Sequence, residues 1–192
     1  MSQLVFLDTD VMLDYLENRH KEVRDIVAQL LLLHRKEKIA LVTSAFNIAE
    51  LIDKEFEIHF IGWCFREKMS YDETVSKLKR DEQYVRIVSE SSRGVIEKGI
   101  QEFIFKNRID VLTLPQDYQY QELYDLIYKR QLKSQDAINV ATALSCKVTY
   151  FLTNDSNLAE KVGDLFDVYK LHEQKLREAF RDNVLENVLE AV

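Results

Sequence analysis

Carboxylates follow two short apolar runs of this sequence, at the points where buried strands would end. Residues 4–7 lead directly into Asp8, and Asp10 follows two positions later. The run "YFLTND" ends at Asp155. Parallel strands open at their carboxyl ends onto one edge of a sheet, where α/β folds bind their ligands. We therefore expect Asp8 and Asp155 to share one crevice.

Two further acids belong to helices that could face the same crevice. Glu50 lies in the helix after the second predicted strand, and Asp136 lies in the first turn of a later helix. Each acid also has an ordinary explanation when it is taken alone. Asp8 and Asp155 could cap the helices that follow them, and Asp136 could interact with the helix dipole behind a cap at Ser134. Glu50 could be a solvated helix charge.

Taken together, the four acids predict a cation site. Carboxylates that share a crevice disfavour one another's ionisation. Two unit charges ~4 Å apart interact by roughly 4 kcal/mol at an effective dielectric near 20. Protons or a cation must relieve this repulsion, and oxygen ligands without Cys or His suit Mg²⁺ or Mn²⁺. Such a cation is well suited to phosphodiester hydrolysis, because it offsets the negative charge that develops in the reaction.

The elements that must position these acids alternate along the chain. Strand-like runs are predicted at residues 4–7, 38–44, 108–115, 148–155 and 164–171. Helices are predicted between them, including one over 118–132 with a buried stripe formed by Tyr120, Leu123, Tyr124 and Ile127. The content of Gly 4 and Pro 1 also favours helices over a turn-rich all-β fold. The pattern predicts an α/β three-layer sandwich around a mostly parallel sheet of about five strands.

Two segments depart from this alternation within a single predicted domain, residues 1–192. Residues 56–106 contain no convincing strand and predict a helical insertion of two or three helices that breaks near "SSRG". Residues 172–192 predict a last amphipathic helix that packs on the body or on a second copy. Its apolar stripe consists of Leu176, Phe180, Val184, Leu185, Val188 and Leu189.

The composition narrows the class of protein. A net charge of −7 over 192 residues argues against a nonspecific nucleic-acid coat protein, but not against an enzyme with a local basic rim. Cys64 and Cys146 lie far apart and predict reduced thiols. The four histidines show no ligand spacing with acids or cysteines. Without a leader or an apolar run of membrane-spanning length, we expect a cytoplasmic protein that contacts no membrane.

Four stretches carry a family resemblance: "FLDTDVMLDYL", "TSAFNIAELI", "SQDAINVATAL" and "YFLTNDSNL". In order and spacing they resemble the acidic motifs of the PIN-domain ribonucleases, which include the toxin nucleases of VapC type. The resemblance implies a PIN-like fold whose catalytic and metal-binding residues hold Mg²⁺ or Mn²⁺. Those residues would be Asp8, Glu50, Asp136 and Asp155, with Thr9, Asp10, Thr153 and Asn154 in support.

The implied activity is endoribonuclease cleavage of RNA that leaves 5′-phosphate and 3′-hydroxyl ends. The resemblance also implies an antitoxin protein and a homodimer as partners to test. This sequence departs from the family in two respects. Asp10 stands where many members have Asn or Ser, and the 56–106 segment makes the chain longer than the compact toxins.

Two other functions remain open. "DTD" after a strand resembles the D-x-D of haloacid-dehalogenase-like phosphatases, in which the first aspartate is a nucleophile. However, Val11 and Met12 follow in place of the usual Gly and Thr, and no later Lys with paired Asp is evident. Alternatively, the chain could be a catalytically inactive PIN-like module that binds RNA or protein. The presence of all four acids speaks against such decay.

Overall fold

The computed structural model describes residues 3–80, 90–115, 118 and 120–190, with side chains described through residue 186. Its five strands are β1 Gln3–Leu7, β2 Ile39–Ser44, β3 Asp110–Leu112, β4 Tyr150–Leu152 and β5 Asp167–Tyr169. The described residues form nine α-helices: α1 Thr9–Leu16, α2 Lys21–Arg35, α3 Ala45–Arg66, α4 Tyr71–Arg80, α5 Arg93–Gln101, α6 Tyr120–Tyr128, α7 Ser134–Ser145, α8 Ser156–Val162 and α9 Gln174–Glu190. A 3₁₀ turn, Glu90–Ser92, precedes α5, and a π-helical turn, Glu102–Lys106, follows it.

All five strands are parallel and lie in the order β3-β2-β1-β4-β5. From β1 the chain builds outward through β2 to β3, and then returns to the other side of β1 to form β4. The strand order therefore reverses between β1 and β4. Open α/β sheets bind ligands beyond the carboxyl ends of the strands at such a reversal.

Two hydrophobic cores cover the two faces of the sheet and confirm the predicted α/β three-layer sandwich. In β1, Val5 and Leu7 belong to one core and Phe6 belongs to the other. Helices α1, α2, α3, α5 and α9 contribute to the first core, and α6, α7 and α8 contribute to the second. Because helices cover both faces of the sheet, residues 4–7 of β1 are all apolar and do not alternate with polar residues.

The described residues of the segment at 56–106 are helical except for a turn at residues 67–70, and they form no strand. It begins inside a helix, because α3 continues through Phe56 to Arg66. A small cluster around Phe60 and Cys64 packs between α3 and the residues near α4. Helix α5, in contrast, places Ile96 and Ile100 in the first main core.

Two predicted apolar stripes need correction. In α6 the buried residue is Leu126, whereas Tyr120 is 84% exposed and Tyr124 is also exposed. In α9 the packing of Phe180 and Val184 on the body is confirmed, but Leu185 is 43% exposed. The predicted positions 188 and 189 lie outside the described side chains. No helix in the described parts of the chain is long and apolar enough to cross a membrane.

Candidate functional site

Asp8 lies where β1 meets α1, beside the end of β4. Its backbone N–H donates to the carbonyl of Leu152 at 3.0 Å. Its Oδ1 accepts from the Thr9 N–H at 2.9 Å, and its Oδ2 accepts from the Thr153 hydroxyl at 2.6 Å. Asp8 is buried and is the N-cap residue of α1. The capping role expected from the sequence is therefore present, and it fixes both carboxylate oxygens.

Burial raises the pKa of Asp8 to about 7. The hydrogen bonds from Thr153 and Thr9 oppose this rise, because they stabilise the charged form. The negative charges of Asp10 and Glu50 add to the rise. Asp8 is therefore a carboxylate that is costly to ionise and that has other acids close enough to affect its titration.

Thr9 joins Asp8 to Glu50 on the neighbouring helix. The Thr9 hydroxyl donates to Glu50 Oε2 at 2.8 Å and also lies 3.1 Å from Asn47 Oδ1. Glu50 is half-buried in α3, which begins directly after β2. Thr9 thus contacts Asp8 through its backbone and Glu50 through its side chain.

Asp136 and Asp155 complete the group. Burial is the main cause that raises the pKa of Asp136, and the charges of Asp155 and Glu50 raise it further, whereas Lys133 and Lys161 lower it. Glu50 therefore acts electrostatically on both Asp8 and Asp136. We call Asp8, Glu50, Asp136 and Asp155 the acidic crevice, with Asp10 beside it.

The helix-capping explanations hold for Asp155 but not for Ser134. Asp155 Oδ1 accepts from the N–H groups of Asn157 and Leu158 at 2.8 and 3.0 Å, at the start of α8. Its own N–H donates to the Thr153 hydroxyl oxygen at 3.1 Å. Lys133 occupies the cap position of α7, and Ser134 is the first residue of that helix. Asp136 lies in the first turn, as expected.

A buried hydrogen-bond network of Asn47, Asn139 and Ser44 links the helices that carry Glu50 and Asp136. It was not predicted from the sequence. The Asn47 amide donates to the carbonyl of Leu7 at 3.1 Å, and its Oδ1 accepts from Asn139 at 2.5 Å. Ser44 donates to Asn139 and caps α3 at the N–H of Asn47. Asn47 lies three residues before Glu50, and Asn139 lies three residues after Asp136. This i, i+3 spacing could have revealed both asparagines.

The carboxylates of the acidic crevice are widely spaced. Within the described residues, no three of its carboxylates bring ligand atoms within 4.8 Å of one another. A cation would be held by some carboxylates directly and by others through water or after side-chain rotation. The supporting hydroxyls of Thr9 and Thr153 already hold Glu50 and Asp8 in place.

A second group of residues brings three possible metal ligands close together, one carboxylate and two imidazoles. One ligand atom from each of Asp14, His20 and His172 lies within 4.8 Å of the other two, so this group could hold a metal ion. We call it the Asp–His–His cluster. Asp14 lies in α1, His20 at the cap position of α2, and His172 between β5 and α9. The histidines show no ligand spacing in the sequence, but the fold brings His20 and His172 to Asp14.

Asn154 connects the two groups. Its Nδ2 donates to Asp14 Oδ2 at 2.9 Å, and its Oδ1 accepts from the backbone N–H of His172 at 3.1 Å. Asn154 also immediately precedes Asp155 of the acidic crevice. The resemblance implied that Asn154 supports the acidic crevice, but both polar atoms of its side chain contact the Asp–His–His cluster.

No protein-family model matches the chain, and no curated protein matches it either. The fold and the two clusters therefore carry the functional argument. The chain has an α/β sandwich with four acids at the reversal of strand order, and a separate Asp–His–His group that could hold a metal ion.

Proposed function

We propose that the chain is a metal-dependent endoribonuclease that hydrolyses RNA phosphodiester bonds in the acidic crevice with Mg²⁺ or Mn²⁺. One observation carries the proposal. Asp8, Glu50, Asp136 and Asp155 come from four separate segments of the chain, yet they lie together beside the β1–β4 reversal. The Thr153 hydroxyl contacts both Asp8 and the Asp155 N–H, Thr9 joins Asp8 to Glu50, and the charges of Glu50 and Asp155 both raise the pKa of Asp136. The resemblance to PIN-domain ribonucleases supports the same reading.

The donor set fits a hard cation. The crevice offers carboxylate oxygens without Cys or His, and such ligands suit Mg²⁺ or Mn²⁺. Burial raises the pKa of Asp8 to about 7 and also raises that of Asp136. A cation would favour the ionised form of both groups, because opposite charge stabilises a carboxylate. Asp8 would be the central ligand, and Asp136, Asp155 and Glu50 would complete the shell directly or through water.

When bound, the cation supplies Lewis-acid stabilisation of the phosphate and lowers the pKa of water. The residues of the chain supply the positioning. Thr153 and the Thr9 N–H fix the two oxygens of Asp8, so that little reorganisation is needed during the reaction. The Thr9 hydroxyl orients Glu50, which would help to hold the cation or orient the attacking water.

Two lysines give the acidic crevice a basic rim. Lys133 and Lys161 are close enough to Asp136 to lower its pKa. Lys161 also donates to the carbonyl of Gln131 at 2.7 Å, which holds its ammonium group beside α7. An anionic RNA backbone would need this compensation, since the whole chain carries a net charge of −7. We assign phosphate contacts to these two lysines.

One observation favours the alternative, a catalytically inactive PIN-like module that binds RNA or protein. No three carboxylates of the crevice come within 4.8 Å among the described residues, and Asp155 uses one oxygen to cap α8. The two functions differ in whether bound RNA is cleaved. The cytoplasmic location, the antitoxin partner and the homodimer stay predictions.

The test is cleavage of labelled RNA by the full chain in Mg²⁺, in Mn²⁺ and in chelator. We expect cleavage in either cation and none in chelator. Asp8→Asn should slow cleavage on the order of a thousandfold, because it removes the central charge from the site. Asp167→Asn is the matched control, since it makes the same change at the exposed start of β5. Cleavage that survives both chelator and Asp8→Asn would reject the proposal, as would no cleavage across a broad RNA panel.

A further inference from the structure

We propose that Asp14, His20 and His172 form a second metal site, distinct from the acidic crevice, that takes Zn²⁺ or a similar borderline divalent cation. The ligand types of this group favour zinc over magnesium. Two imidazoles and one carboxylate are a ligand combination typical of zinc, whereas Mg²⁺ prefers oxygen alone. The three ligand atoms lie within 4.8 Å of one another. The proposal does not depend on the nuclease activity.

The state of Asp14 is the second argument. Its side chain is 1% exposed, and its Oδ1 is buried without a hydrogen-bond partner. The half-exposed Arg19 places Nε 3.4 Å from this oxygen, which is an ion pair without a hydrogen bond. A buried carboxylate oxygen that lacks hydrogen bonds is costly. A metal ion in this group would compensate that charge.

The two histidine rings are the third argument. Their centroids lie 4.2 Å apart, and His172 Nε2 lies 2.7 Å from Asp14 Oδ2. These short distances allow one metal ion to bind both imidazoles together with the Asp14 carboxylate. Both rings are also exposed, so a fourth coordination position can be filled by water.

The surrounding hydrogen bonds orient the ligands as outer partners do in metal sites. Asn154 holds Asp14 Oδ2 and also the backbone of His172. Ligand atoms of a tetrahedral zinc ion lie about 3.3 Å apart, given bonds of about 2.0 Å. The 2.7 Å contact between His172 and Asp14 therefore has to open by only a fraction of an ångström.

Occupation of the site would join distant parts of the chain. Asp14 and His20 flank the connection between α1 and α2, whereas His172 lies just before α9. A metal bound only by the native state raises stability by mass action. We therefore infer a zinc ion that fastens the segment after β5 to the N-terminal helices.

The test is titration of the metal-free full chain with Zn²⁺ by calorimetry, with circular dichroism to verify folding. We expect a tight Zn²⁺ site whose affinity falls at least about tenfold in His20→Asn, because a ligand is lost. Any Zn²⁺ that enters the acidic crevice should bind separately and more weakly, because carboxylate oxygens alone suit harder cations. Asn is a favoured cap residue, so α2 should still begin at this position. Arg19→Gln should strengthen binding severalfold, since it removes the cation that competes for Asp14.

Two controls separate this site from other zinc sites. Asp8→Asn alters the acidic crevice, and His59→Asn removes a histidine outside the cluster; neither should change the affinity. In a Co²⁺ titration, the ring protons of His20 and His172 should broaden in NMR spectra, and those of His59 should not. Equal zinc affinity in His20→Asn and wild type would overturn the proposal. A loss in Asp8→Asn or His59→Asn in place of His20→Asn would also overturn it.

Discussion

The acidic crevice and the Asp–His–His cluster are neighbours connected by Asn154, but they are built differently. The crevice lies on strand ends and first helical turns, and a buried network of Asn47, Asn139 and Ser44 supports it. The cluster lies on helix ends and connections, and two of its three side chains are exposed. Among the described residues, the carboxylates of the crevice are more widely spaced and offer only oxygen ligands, whereas the cluster is compact and offers nitrogen ligands as well.

This difference suggests separate roles. A catalytic site needs groups held by a rigid scaffold, and the hydrogen bonds from Thr9, Thr153 and Asn47 give the crevice this feature. A structural site needs ligands from distant segments that a metal can fasten together, and the cluster has them. The predictions below test whether the two groups act independently, from the largest expected effect to the smallest.

A substitution in the buried face of α9 should have the largest effect. Phe180 is buried, with its ring centroid 5.6 Å from that of Tyr150 and 5.1 Å from that of Tyr169. Phe180→Ala should lower the free energy of unfolding by about 3–5 kcal/mol, because it leaves a cavity in the core. It should also weaken Zn²⁺ binding more than Mn²⁺ binding, since His172 lies two residues before the start of α9.

Denaturant unfolding and calorimetry measure the two effects of Phe180→Ala. Leu185→Ala, at an exposed position of the same helix, is the matched control and should cost less than about 1 kcal/mol. Equal weakening of Zn²⁺ and Mn²⁺ binding in Phe180→Ala would contradict the independence of the two sites.

Glu50→Gln tests the contribution of α3 to the acidic crevice. We expect the rate constant for RNA cleavage to fall about 100-fold, equivalent to about 2.7 kcal/mol, because the charge that acts on both Asp8 and Asp136 is removed. Single-turnover cleavage assays measure this rate. Glu57→Gln changes a partly exposed charge of the same helix, paired with Lys54, and should leave the rate unchanged. Equal rates for both variants would exclude Glu50 from the site.

The pH dependence of stability tests whether a raised pKa by itself marks a metal site. The pKa of Asp8 is raised to about 7, mainly by burial. The pKa of Glu55 is also raised to about 7 by burial and by the nearby charge of Glu17. In both cases the native state binds a proton more tightly than the unfolded chain does. Stability should therefore fall as pH rises from about 4 to about 7 and then level off.

Urea unfolding across this pH range, with and without Mn²⁺, separates the two carboxylates. At pH 8, Asp8→Asn and Glu55→Gln should each raise the free energy of unfolding by about 1–3 kcal/mol, because each removes a buried charge. Mn²⁺ should flatten only the part of the pH dependence that Asp8→Asn removes. If Mn²⁺ flattened the part due to Glu55, the assignment of the cation to the crevice would be wrong.

Asp10→Asn should have the smallest effect. Asp10 lies beside the crevice and raises the pKa of Asp8, but burial is the larger cause. The PIN-domain ribonucleases that the chain resembles commonly have a neutral residue at the corresponding position. We therefore expect RNA cleavage to fall less than about tenfold. A loss as large as that of Asp8→Asn would make Asp10 a principal ligand and would change the donor set of the crevice.

The sequence predicted the crevice better than the cluster, for a physical reason. Strand ends and first helical turns follow from local hydrophobic patterns, so Asp8 and Asp155 could be placed at one sheet edge directly. The Asp–His–His cluster depends on contacts across 158 residues, between Asp14 and His172. Local periodicity carries no information about such a contact.

The fold class and the strand positions were predicted correctly. The prediction of which helical side chains are buried was less accurate. In α6, Leu123 of the expected stripe packs against the second core, but Tyr120, Tyr124 and Ile127 are exposed. The fully buried residue of this helix is Leu126. Tyrosine has an apolar ring and a polar hydroxyl, so it suits a partly wet surface as well as a core. Helix α3 continues past Phe56, where the insertion was expected to begin, because no Pro or Gly stops the helix there.

Mn²⁺ binding to the metal-free chain tests the central claim most directly. Calorimetric titration should show binding in wild type and in His20→Asn, with affinity reduced at least about 100-fold in Asp8→Asn, because a direct ligand matters at least as much as its outer partners. Asp167→Asn should bind like wild type. Unchanged Mn²⁺ affinity in Asp8→Asn, or a loss in His20→Asn in its place, would contradict a hard-cation site in the acidic crevice.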